Sequence, residues 1–179
     1  ESIHKYFQLG TIRWMSYPRL EAMEAVKRIA RDDFFDAIEI TKCGSDEERQ
    51  EMRRILQQSH LKVCYGAQPR LLGPKLNPND VDEEGRKKAE ATLIEAIDEA
   101  EYFGARGIAF LAGKWEEETK DFQYEQLLKT TLSLCAYAAE KNMLIELEVF
   151  DYDVDKASLI GPAPLAAKFA ADVRTKYPN

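Results

Sequence analysis

The run MLIELEVFDYD, residues 143 to 153, places carboxylates where a buried parallel strand is normally all aliphatic. Glu146 and Glu148 alternate with Ile145, Leu147 and Val149. Successive strand side chains point to opposite faces, so one face here is apolar and faces helices, while the other is acidic. A buried carboxylate is costly unless water, a base or a cation compensates it. Glu148, at the strand end, is therefore either a ligand for a hard cation or a carboxylate that is solvated or paired with a lysine such as Lys42. Glu146 lies one layer deeper and suits a buried structural ion pair. AIEIT (37 to 41) repeats the pattern: Ile38 and Ile40 share one face, and Glu39 takes the other, near the same end of the sheet.

The elements that must hold these groups repeat as strand then helix. YFQLGTI (6 to 12) reads as strand one, and Met23, Val26 and Ile29 mark a helix face behind it. AIEIT is strand two, and Ser45 to Glu48 forms a capping box opening the next helix. KVCYGA (62 to 67) is strand three. The stretch QPRLLGPKLNPN, with three prolines, predicts an irregular loop. Asp80 to Glu83 resembles a second capping box, and Gly104 suits the stop of the helix that follows. GIAFLAG (107 to 113) is strand four, and the opening run is strand five. Pro162 starts a last helix that turns Leu165, Phe169 and Val173 inward.

Five such units in a row require a parallel sheet. A doubly wound five-stranded sheet is one solution; the first five units of a (β/α)₈ TIM barrel are the other. Helices cover both faces of a doubly wound sheet, leaving inward carboxylates without water. In a barrel, Glu39, Glu146 and Glu148 face the axis near the mouth, which favours the barrel. No strand-helix turn carries a GxGxxG or GxxxxGK[ST] signature. Residues 1–179 therefore read as one α/β domain, the N-terminal portion of a barrel.

Composition narrows the function. With 25 Lys plus Arg against 32 Asp plus Glu, the net charge of −7 and the lack of a basic, aromatic stripe argue against nucleic acid. No apolar run is long enough for a membrane span, and no leader is evident, so no membrane partner and a cytoplasmic location are expected. Cys43, Cys64 and Cys135 are too far apart for CxxC chemistry and read as structural thiols. His4 and His60 precede strands one and three, at the non-catalytic end of a barrel.

ELEVFDYDVDKASLIGP, with FFDAIEI and AEYFGARGIAF, resembles the xylose-isomerase-like TIM-barrel family of sugar-phosphate isomerases and epimerases. The most specific part is Glu148, Phe150, Asp151, Lys156, Leu159, Gly161 and Pro162. The resemblance implies a sugar or sugar phosphate as substrate and a divalent metal, Mg²⁺ or Mn²⁺, at the barrel mouth. Glu148 is then the first metal ligand and a proton carrier, and Asp151 orients it or a bound water. Lys156 holds a substrate oxygen or phosphate. The remaining ligands belong to strands six to eight, so the metal site is incomplete in this chain and the chain alone is expected to be inactive. Lys114 and Trp115, just after strand four, suit a charge and a flat surface for a sugar ring, or a loop that caps the core; Trp14 carries the same two readings. A polynuclear zinc nuclease on this barrel needs histidines where strands three and four end, and Gln68 and Gly113 stand there instead. A non-catalytic binding module remains the alternative, and the open edges of a part-barrel favour a homo-oligomer.

Overall fold

The computed structural model describes residues 2–177. Its strands are β1 (Gly10–Ile12), β2 (Ala37–Ile40), β3 (Lys62–Gly66), β4 (Gly107–Leu111) and β5 (Leu144–Glu148). They form one parallel sheet in sequence order, β1-β2-β3-β4-β5. Parallel neighbours need a crossover between them, right-handed as a rule, and the long connecting helices pack on one side of the sheet. A doubly wound sheet needs a reversal of strand order, and none is present among the described residues. The molecule is the first five units of a TIM barrel.

The helix side is the core. Ile38, Ile40, Tyr65, Ile108 and Phe110 are buried there. They pack with Leu93 and Ile97 of α5 (Glu83–Tyr102) and Leu127 and Leu134 of α6 (Lys120–Glu140). The remaining helices are α1 (Arg13–Ser16), α2 (Ala22–Ala30), α3 (Asp46–Gln58), α4 (Gln68–Leu72) and α7 (Ala163–Lys176). Ser45 caps α3 as expected: its Oγ accepts from Glu48 N at 3.1 Å, and Glu48 Oε2 accepts from Gly44 N at 2.7 Å. Gly104, at φ +76°, ends α5. Its N–H donates to Glu101 O at 2.9 Å and that of Ala105 to Ala100 O at 2.9 Å, the paired bonds of a left-handed helix stop.

A buried ionic network behind β3 holds α3 and α5 to the sheet. The Glu99 carboxylate accepts from Arg70 Nη2 at 2.8 Å, from Arg49 Nε at 3.0 Å, and from the Tyr65 hydroxyl. Burial pushes the Glu99 carboxyl up, but these donors outweigh it and hold it below its ordinary value.

Four local expectations differ. β1 is confined to Gly10–Ile12, shorter than the expected 6 to 12, because the N–H groups of Tyr6 and Phe7 donate to Ile3 O and tie the first residues of that run into the turn after Ile3–Lys5. The stretch after β3 is not wholly irregular: α4 forms at its start, where Pro69 occupies a first-turn position whose N–H has no helical partner. The cap of α5 is Asp82, accepting from Gly85 N at 3.0 Å, while Asp80 accepts from Asp82 N. Val149 lies past the end of β5 and is 58% exposed, so it does not face helices.

Candidate active site at the barrel mouth

The inner face opposite the helices carries the acidic alternation. Register sets Glu39 level with Cys64, Ala109 level with Gly66 and Glu146, and Leu111 level with Glu148. Glu39, Cys64, Ala109 and Glu146 line one concavity of about 640 Å³. Glu146 is exposed and has no ion pair among the described residues. The buried structural pair expected for it is absent because the concave face stands open.

Glu39, by contrast, is half-buried. Burial first, then the negative charges of Glu148 and Glu146, push its carboxyl up to about 7. Glu148 accepts a hydrogen bond at Oε1 from Gln68 Nε2 at 2.8 Å. Lys42 lines a cleft between α3 and α5 instead of pairing with Glu148. Glu39, Gln68 and Trp14 meet over Gly66. A Cβ there would stand 2.5 Å from Glu39 Oε1, 2.5 Å from Gln68 Oε1 and 2.7 Å from Trp14 Cη2. The bare Cα of Gly66 therefore lets three side chains from the ends of β1, β2 and β3 converge beside Glu148.

Asp151 holds the loop that follows β5. Its Oδ2 accepts from the backbone N–H of Asp155 at 2.8 Å, Lys156 at 2.8 Å and Ala157 at 3.1 Å. Desolvation acts to raise this carboxyl, but the three donors prevail and its pKa is lowered. The side chain organises the loop after β5, including Ala157 at the left-handed φ of 45°, and makes no hydrogen bond to Glu148. Lys156 pairs with Asp155, which raises its pKa. Lys156, Lys114 and Lys75 line a pocket of about 260 Å³ whose wall includes Leu111, the register partner of Glu148.

The loop after β5 doubles back on β4. Lys114 and Ser158 form an antiparallel bridge, and Leu159 N donates to Gly113 O at 3.0 Å. The carbonyl of Lys114 accepts from Asn77 Nδ2 at 3.0 Å, Asn79 Nδ2 at 3.1 Å and Gln123 Nε2 at 3.1 Å. Trp115 stacks on Tyr152 at 4.5 Å and 23°, donates Nε1–H to Tyr152 O at 2.9 Å, and has Lys120 Nζ 4.7 Å from its ring centre. Its ring is engaged in packing two loops, which is the capping alternative; Trp14 is the indole brought to the carboxylates.

The sequence profile of the family described as "Xylose isomerase-like TIM barrel" matches residues 26–157. The chain belongs to that family. Among solved structures, a D-psicose 3-epimerase from Clostridium cellulolyticum H10, crystallised with D-tagatose, is similar at a TM-score of 0.74 and 16% identity, covering 93% of this chain and 60% of that one. An IolI protein with a bound zinc atom gives 0.75 and 12%, covering 94% and 59%. An AP endonuclease of family 2 from Brucella melitensis gives 0.77 and 12%, covering 93% and 65%. The chain thus spans about three fifths of the length of these structures. A search of the curated proteins finds no match.

Within the family barrel, β5 presents Glu148 at the mouth. The donor set fits a cation in part: Glu148 is a carboxylate at a strand end, and among the described residues Glu39, Glu146 and Glu148 form no ion pair with a base. Among the described residues, however, no three His, Cys, Asp or Glu side chains are grouped to hold a metal ion. Gln68 is the site residue that sequence reasoning missed as a participant. Its position just beyond β3 was the available signal, but an uncharged amide adds nothing to a charge pattern. No helix among the described residues is long and apolar enough to cross a membrane.

Proposed function

We propose that this chain is the first five units of a metal-dependent sugar or sugar-phosphate isomerase/epimerase, and that it is catalytically incomplete alone. The observation that carries this reading is Glu148 at the mouth end of β5 in a barrel of this family, beside Glu39 and tied to Gln68. The epimerase and zinc-bound neighbours support it by the sugar and the metal named for them.

The reaction is proton transfer at a carbon next to a carbonyl, passing through an enediolate. Glu148 would hold a divalent cation, Mg²⁺ or Mn²⁺; the chemistry such a cation supplies is positive charge against the oxygens where the enediolate charge develops. Glu148 also serves as proton carrier. Gln68 Nε2 fixes one of its oxygens. Trp14 covers an apolar face of the substrate, Glu39 meets a hydroxyl, and Lys114 and Lys156 bind a polar or phosphorylated end. Asp151 acts by shaping the loop that carries Lys156. The second carboxylate of the proton relay and the further ligands come from strands six to eight.

A cytoplasmic location and a single domain belong to the same reading. Titration with Mn²⁺ and a ketose epimerisation assay on the 179-residue chain test it. Weak binding without turnover is expected; tight binding with turnover overturns the incompleteness of the site.

A second reading, a self-associating part-barrel without catalytic work of its own, is favoured by the unpaired edges of β1 and β5 and by the open inner face.

A further inference from the structure

The Gln68 amide is oriented by chemistry. Gln68 Nε2 donates to Glu148 Oε1 at 2.8 Å, so the NH₂ end of the amide faces Glu148. The carbonyl end is thereby fixed away from Glu148. Gln68 Oε1 is buried and has no donor among the described residues. An acceptor in that condition is costly unless a donor reaches it. Glu39 Oε1, another acceptor when ionised, is 2.5 Å from the same point over Gly66 that Gln68 Oε1 approaches, and the Trp14 ring closes the third side at 2.7 Å. The Gln68 carbonyl, the Glu39 carboxyl and an aromatic edge gathered over one bare Cα suit a group that brings O–H bonds on an apolar carbon frame.

We propose that Gln68 and Glu39 form a hydroxyl-binding subsite beside Glu148, in which Gln68 Oε1 accepts from one hydroxyl of a neutral polyol or sugar and thereby sets specificity. The proposal rests on the sugar reading above and adds the atom that selects for the hydroxyl. Glu148 orients Gln68, and Gln68 in turn makes that hydroxyl a requirement. A site built to pair a hydroxyl discriminates strongly against the analogue that lacks it, because the buried partner is left bare.

The test is a titration of the ¹⁵N-labelled 179-residue chain with D-fructose and with its singly deoxygenated analogues, followed in NMR spectra of the chain and of a Gln68→Met variant. D-Fructose is expected to shift the Gln68 side-chain amide and the Trp14 indole resonances. One deoxy analogue is expected to bind the wild-type chain about tenfold more weakly, and that gap is expected to vanish in Gln68→Met. A Trp14→Phe chain, which keeps both acceptors, is expected to retain the gap and guards against a variant that fails to fold. Shifts confined to residues around Lys114 and Lys156, or a gap of equal size in wild-type and Gln68→Met chains, overturn the subsite while leaving sugar binding intact. No response to any sugar overturns the sugar reading together with it.

Discussion

Glu39 is the residue whose environment departs furthest from what its sequence context announces. Its carboxyl moves from an ordinary 4.5 to about 7 through burial and the nearby Glu148 and Glu146 charges. Between those two values the native chain binds more protons than the unfolded chain. The contribution to stability is therefore complete below pH 4.5 and is lost as pH rises through about 7. With a chelator present, the thermal midpoint of the wild-type chain should fall across that interval relative to Glu39→Gln, which has no carboxyl to titrate. Parallel curves for the two chains across the same interval would refute the raised carboxyl. The inward placement of Glu39 was legible from alternation with Ile38 and Ile40. Its shift was not, because it depends on residues more than a hundred positions away in the chain.

At the level of elements, α3, α5 and β3 are held together less by helix propensity than by one buried carboxylate. Glu99 faces Arg49, Arg70 and the Tyr65 hydroxyl, and its side chain is 4% exposed, as is that of Arg70. Glu99→Ala leaves the buried Arg70 with only the exposed Glu95, at 3.4 Å, as a charge partner and should cost about 3 kcal/mol. Tyr65→Phe removes one donor only and should cost about 1 kcal/mol. Urea unfolding followed by circular dichroism measures both; equal losses for the two variants would mean the charge is not what holds the layer. The strands and the Gly104 stop of α5 could be read from local signals, since short apolar runs and a glycine after an amphipathic stretch are written within a few residues. The α4 helix could not, because Pro69 and the prolines beyond it suggest a loop, whereas a proline in the first turn is compatible with a helix. Trp115 was ambiguous for a related reason: its Tyr152 partner reaches it only after the β5 loop folds back across β4.

At the scale of the whole molecule, sequential strand order leaves two open edges and one uncovered face among the described residues. β1 and β5 each pair on one side only, and Leu144 on β5 is 52% exposed. Exposed edges template pairing with another chain. Sedimentation of the 179-residue chain should show a dimer or larger species; a clean monomer across the accessible concentration range would rule that out. The barrel reading was legible in the sequence because charge alternation in β2 and β5 is incompatible with helices on both faces of a sheet.

The Lys114 carbonyl, met by amide groups of Asn77, Asn79 and Gln123 and flanked by the bridge to Ser158, joins the segments that follow β3, β4 and β5. These three segments form much of the mouth. Conformational freedom lost when such segments become ordered opposes ligand capture if the ordering happens on binding. Here the loss is incurred when the chain folds. On the sugar reading proposed above, a ligand arriving at this side of the mouth would meet a rim already held by these hydrogen bonds.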